Sequence, residues 1–251
     1  MLPFLLSLDT AAVDSLWEIA KLWRAGTNVR KVDSARSLLI SLGGEAVRYV
    51  VVRYLPEDDH LQTRAIRDVC LKVPDTCAPA VETVLKMKDT VAVKNALYVA
   101  SEVRMPSLEP ILLRMLRKRK DKRWVSRILR ALYRSGSRRS CKVVSRYANH
   151  PYEYVRMRSL LFLGEHGCGR FKGLLWKGLN DPYFMVRDAA RESILKVGFN
   201  RTDVEEHLKD VRRIELLKLL SERCPDGDLL FLLKPTNPFE RYWYGKIACG
   251  Q

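Results

Sequence analysis

The side chains best placed for chemistry in this chain are cations set at helical spacing. Within residues 138–149, Arg139, Lys142 and Arg146 recur at three- and four-residue steps, which predicts one shared side of a helix, with Cys141, Val144 and Ala148 on the other. Over residues 108–120, Leu108, Ile111, Leu112, Met115 and Leu116 predict the buried face, which leaves Arg114 and Arg117 turned away. Over residues 169–179 the same spacing turns Phe171, Leu174, Leu175 and Leu179 inward and Lys172, Trp176 and Lys177 outward. Outward cations steer and pair with anionic groups, and an outward tryptophan supplies an apolar anchor. The run Arg117-Lys118-Arg119-Lys120-Asp121-Lys122-Arg123 is denser still, and its mutual repulsion of up to roughly 1 kcal/mol per close pair in water favours an anion beside it.

Covalent and metal chemistry find no comparable footing. The sequence has no Gly-x-Ser-x-Gly elbow, no phosphate-cradling Gly-x-x-x-x-Gly-Lys-Ser/Thr loop and no His-Glu-x-x-His helix. Glu165-His166 is one carboxylate–imidazole pair, and His60, His150 and His207 adjoin no glutamate, whereas a transition metal needs several converging ligands. The expectation is no catalytic residue, no metal ligand and no cofactor.

Composition agrees with a binding role. Across 251 residues, 45 Lys and Arg stand against 29 Asp and Glu, a net charge of +16 that points to nucleic acid, an anionic surface or an acidic protein. Cys70, Cys77, Cys141, Cys168, Cys224 and Cys249 form no Cys-x-x-Cys pair, so they read as reduced, packed side chains of a cytoplasmic protein. The apolar run from Leu2 to Leu8 lacks a basic segment before it, which argues against a signal peptide, and no run reaches the ~18 apolar residues of a membrane span.

The elements that must position these cations repeat. Residues 181–198 predict a helix with Asp181 as N-cap, Pro182 in the first turn and Gly198 as its stop, and with Val186, Ala189, Ala190, Ser193, Ile194 and Val197 on one face. Positions equivalent to Val186 are Val155, Val125, Val93, Thr63 and Val32, spaced by 31, 30, 32, 30 and 31 residues. Six units of two short helices follow, with turns such as Gly43-Gly44, Pro74-Asp75 and Gly167-Cys168-Gly169 inside them. The slot holding Arg187, Arg156, Lys94 and Arg64, with Asp181 and Asp58 six residues ahead of two of them, predicts a structural acid–base ladder. Twenty-one residues after each reference position stand Arg53, Val84, Arg114, Arg146, Trp176 and His207, which predicts a basic band along the second helices.

A period near 31 is shorter than the ~40 to 47 of common HEAT and armadillo units. The Asp181-Pro182…Val186-Arg187-x-Ala189-Ala190 unit, with Asn149-His150-Pro151…Val155-Arg156 as its next copy, resembles the compact HEAT-like repeats also found in phycobilisome lyases. The resemblance covers residues 28–210 and implies an all-α, right-handed α-solenoid of stacked hairpins: residues 1–27 an N-terminal capping helix with Trp17 and Trp23 facing inward, 28–210 six repeats, 211–251 capping helices and an aromatic tail. It also implies that the second helices line a groove. The expected function is a non-catalytic scaffold holding an acidic protein partner through Arg53, Arg114, Arg117, Arg139, Lys142, Arg146, Lys172, Trp176 and Lys177. The alternative is nucleic-acid binding, including similarity to HEAT-like DNA glycosylases, which also need a carboxylate beside the flipped base. A lyase-like role cradling a tetrapyrrole rests on repeat length alone.

Overall fold

The computed structural model describes residues 8–247; residues 2–7 of the apolar N-terminal run and Cys249 lie outside the described residues. Every regular element among the described residues is helical, and no helix there is long and apolar enough to cross a membrane. The chain divides into two compact units, residues 8–120 with 130–136 and residues 121–129 with 137–247.

In the first unit α1 (Thr10–Ala20) begins where Asp9 accepts a hydrogen bond from the Ala12 N–H at 3.1 Å. The helix stops five residues earlier than the pattern suggests. Trp17 is fully buried, but Trp23 lies beyond the helix and is 53% exposed, so only one of the two tryptophans faces inward. Helix pairs follow: α2 (Asn28–Ser41) and α3 (Gly44–Tyr54) flank Gly43 as predicted, α4 (His60–Lys72) and α5 (Pro74–Leu85) flank Val73 because Pro74 and Asp75 open α5 instead of forming the predicted turn, and α6 (Thr90–Glu102) leads through a 3-10 turn into α7 (Glu109–Lys118). Asp59 and Asp89 cap α4 and α6, which satisfies N–H groups that a helix start leaves unpaired. Packing joins alternate helices: α1 lies against α3, α3 against α5, and α4 against α6. Asn95 spans two hairpins, its amide donating to the carbonyls of Leu55 and Glu57 at 3.0 and 2.9 Å.

Helix α8 (Lys122–Ser135) starts at Asp121, whose carboxylate accepts from the N–H groups of Arg123 and Trp124. In the second unit the expected helix over residues 138–149 is instead a chain of short pieces, a 3-10 turn, α9 (Cys141–Val144) and a second 3-10 turn. Serines explain the breaks: Ser137 accepts from the Arg139 N–H and Ser145 Oγ donates to the Lys142 carbonyl, offering the backbone alternatives to a continuous ladder. The hairpins α10 (Glu153–Glu165) with α11 (Lys172–Gly178) and α12 (Phe184–Val197) with α13 (Arg201–His207) precede α14 (Arg213–Glu222), α15 (Leu229–Leu232) and α16 (Pro238–Tyr244).

The closest packing is α10 on α12. A Cβ placed on Gly164 would meet the Ser193 Cα at 2.5 Å, and Ser193 Oγ donates to the Leu160 carbonyl at 2.8 Å. Helix α12 ends at Gly198 as predicted, in a left-handed conformation (φ 85°) that a side chain disfavours. Its start differs from the prediction. Asp181 is no N-cap: Tyr183 takes that place, and the Asp181 carboxylate instead accepts from the Tyr183 N–H and binds Arg156. On the other side of α14, Glu240 of α16 accepts from the Thr236 N–H and hydroxyl at 2.7 and 2.8 Å and pairs with Arg213.

Candidate functional site

The cations fall into two groups, those consumed by the fold and those left over. In the second unit Arg156 pairs with Asp181, Arg187 with Glu215, Arg191 with Glu222, and Arg201 with Glu205 and Asp226. Arg156 and Arg187 also donate to carbonyls at their own helix starts, Arg156 to His150 and Pro151, Arg187 to Asp181 and Pro182. Of the four slot cations the spacing singled out, Arg156 and Arg187 bond an acid further along the chain rather than the one six residues before, and Lys94 has no ion pair among the described residues. Arg64 of the first unit lies 5.2 Å over the Trp23 ring.

Among the leftover cations are most of those the helical spacing turned outward, with three corrections, beside others it did not single out, such as Arg30, Arg48 and Lys209. In the first unit Arg114 and Arg117 are exposed on α7, opposite Ile111, Leu112 and Leu116, and neither has a side-chain hydrogen bond or ion pair among the described residues. Arg53 is exposed but not free, pairing with Glu57 at 3.4 Å and lying over the Tyr54 ring. In the second unit Arg139, Lys142 and Arg146 are exposed and unpaired, opposite buried Cys141, Val144 and Ala148, and Lys177 is exposed as well. Lys172 is half-buried and consumed by Asp203 at 2.6 Å.

Trp176 is the largest correction. It is 1% exposed, stacked on His207 with ring centroids 4.6 Å apart and meeting the edge of Phe199 at 6.1 Å. Its indole Nε1 is buried without a hydrogen-bond partner. An apolar anchor for a partner must be reachable, and this one is a core residue. Leu175, Lys177 and Leu179 keep the sides the helical count gave them, and Trp176 departs because the rings of His207 and Phe199 come to meet it. In the same register Val84 is buried too, so the positions 21 residues after the references are not one exposed band.

Cysteine chemistry also differs from the expectation. Cys141 and Cys168 form a disulfide with Cα atoms 5.9 Å apart and Cys224 is disulfide-bonded as well, so the reduced state fails for these three residues, and with it the cysteine argument for a cytoplasmic location. Cys141 and Cys168 are 27 apart in sequence, a separation that matches no recognisable cysteine motif. Cys70 and Cys77 remain buried thiols, and burial pushes the Cys70 thiol well above its usual range.

Around the disulfide the fold gathers Arg138, Arg139, Lys142 and Arg170 at a cavity of about 230 Å³, closed by Gly167, Gly169 and half-buried Phe171. Arg138 stands four residues before Lys142, a spacing signal that could have found it, whereas Arg170 lies in the 3-10 turn ahead of α11. A larger cavity of about 630 Å³ in the first unit is lined by Trp23, Leu61, Arg64 and two ion-paired groups, Arg24 with Asp33 and Arg36 with Asp68. The signal for it is Lys21-Leu22-Trp23-Arg24, an apolar and basic segment just past the end of α1. The Arg24 hydrogen bond holds the Asp33 carboxyl below its usual range, so these two charges neutralise each other.

Glu165 and His166 do not converge on a common centre. Glu165 pairs with Lys196 at 2.8 Å and His166 packs on the Phe162 ring. No group of three or more His, Cys, Asp and Glu able to hold a metal occurs among the described residues.

No model of a known protein family matches the chain, and no curated protein matches it.

Proposed function

We propose that the protein is a non-catalytic interaction scaffold that docks an acidic protein partner on the exposed basic residues of its second helices. The observation that carries the reading is the contrast within the second unit: Arg156, Arg187, Arg191 and Arg201 are bound to carboxylates, whereas Arg139, Lys142, Arg146 and Lys177 are exposed with none. Unpaired exposed cations raise the local potential and steer an anionic partner. Arg114 and Arg117 add the same kind of surface in the first unit.

The scaffold is read as a right-handed α-solenoid of HEAT-like repeats. In its support, bonds recur at the separation the sequence period sets: Arg67 to Tyr98, Lys172 to Asp203, Arg191 to Glu222 and Lys196 to Glu165 each span 31 residues. Such nearest-neighbour bonding is what a stacked array requires.

Replacing Arg139→Glu and Arg146→Glu together should abolish binding of a short polyglutamate peptide, followed by fluorescence anisotropy, while the circular dichroism stays that of the parent. Unchanged affinity would remove the docking face. The net charge of +16 favours nucleic acid as the second reading, and a duplex titrated at rising salt separates the two. Phosphate contacts give a steep linear fall of log affinity with log salt, so a flat response excludes them.

A further inference from the structure

We propose that the cavity beside the Cys141–Cys168 disulfide receives the phosphoryl group of a phosphoserine or phosphothreonine carried by the acidic partner. The inference rests on the docking role and goes further, assigning one pocket and one chemical group.

The lining holds four cations, Arg138, Arg139, Lys142 and Arg170, and no carboxylate. Two other cavities differ in this respect. The large one in the first unit includes Asp33 and Asp68, and the one beside Pro182 includes Asp181. None of the four cations has a side-chain hydrogen bond or ion pair among the described residues, and three of the four are arginines, whose planar fork of N–H donors matches the oxygens of a phosphoryl group. Long cationic side chains left unpaired around a shared space repel one another until an anion enters it.

The walls are held in place by covalent and backbone constraints. The disulfide ties the residues before and within α9 to the loop after α10, so Arg138, Arg139 and Lys142 are fixed near Arg170. Gly167 turns that loop in a left-handed conformation (φ 60°) with open space where a Cβ would be. Half-buried Phe171 gives the wall an apolar portion for the carrier chain.

The charge count selects the ligand. A phosphate monoester carries about −1.5 to −2 at neutral pH and offers three acceptor oxygens, whereas a carboxylate or a nucleic-acid phosphodiester carries a single charge. Four cations lining a cavity of about 230 Å³ suit one concentrated dianion better than a row of evenly spaced monoanions.

The test uses the full chain and three fluorescent probes: an acidic peptide with one phosphoserine, the same peptide with serine, and a short DNA duplex. The phosphopeptide should bind about tenfold or more tightly than its serine counterpart, as one to two charge-assisted hydrogen bonds provide. Arg138→Gln with Arg170→Gln should erase that preference while leaving the serine peptide's affinity within about twofold, since neither residue belongs to the docking face. Inorganic phosphate should compete with the phosphopeptide and not with the serine peptide. Equal affinity for both peptides, with both still bound, overturns the pocket and leaves docking intact. A duplex that binds more tightly than the phosphopeptide, or no binding of either peptide, overturns the pocket together with the docking role.

Discussion

Arg156 and Asp181 face each other in a two-pronged ion pair, guanidinium Nε to one carboxylate oxygen at 2.6 Å and Nη2 to the other at 2.8 Å. Both side chains are nearly enclosed, 12% and 10% exposed, and the remaining guanidinium donor is taken by the carbonyls of His150 and Pro151. The pair therefore does three things at once: it joins the starts of α10 and α12, satisfies two backbone acceptors and draws Asp181 away from the capping position. Asp181→Ala should lower stability by about 3 kcal/mol, because it strands an enclosed guanidinium, and the urea unfolding midpoint reads the loss. Arg156→Lys should recover little, since an ammonium cannot reproduce the fork.

The α10–α12 contact has no room for a methyl group. Gly164→Ala places its Cβ 2.5 Å from the Ser193 backbone and should cost about 1–3 kcal/mol or more, because the helices must separate. Gly173 is an internal control: it is also helical, and nothing lies within 4 Å of its added Cβ. Gly173→Ala should be neutral or stabilise by up to about 1 kcal/mol through helix propensity. Thermal melts of the two variants on opposite sides of the parent would confirm the contact, and equal melting temperatures would refute it.

Acid should loosen α16. The Thr236 N–H, followed by the Thr236 hydroxyl and Arg213, holds the Glu240 carboxyl below the usual glutamate value of 4.5. A carboxylate with a lowered pKa contributes stability that is fully present above pH 4.5 and is lost as the pH falls through its folded value. Near-ultraviolet circular dichroism of the Tyr242–Trp243 edge-on pair should fade in that acid window. Glu240→Gln should remove the acid step, and an identical pH profile in the variant would sink the assignment.

Thiol chemistry separates the two cysteine environments. In the native protein iodoacetamide should leave Cys70 and Cys77 unmodified, as both are buried and the Cys70 thiol is pushed well above its usual range. Cys141 and Cys168 should become alkylated only after a dithiol is added, which mass spectrometry of the peptides resolves. Replacing both with serine should cost about 3 to 4 kcal/mol, the loop-closure value for a separation of 27 residues.

Much of the helical skeleton is written locally in the chain. Asp9, Asp59 and Asp89 cap helices because a carboxylate one residue outside a helix finds free N–H groups wherever the rest of the chain lies. The 31-residue spacing, the turn at Gly43, and the exposure of Arg114, Arg117, Arg139, Lys142 and Arg146 follow from the same short-range rules. What those rules cannot decide is which charge meets which. Arg139 and Arg156 look alike in sequence, yet one is free and the other is consumed by an acid 25 residues later. The inward turn of Trp176 and the meeting of Cys141 with Cys168 likewise depend on how hairpins close on one another. Trp176 turns inward where Phe199 and His207 meet it, and a disulfide needs α9 and the loop after α10 to arrive within a few ångströms, so tertiary packing alone selects them.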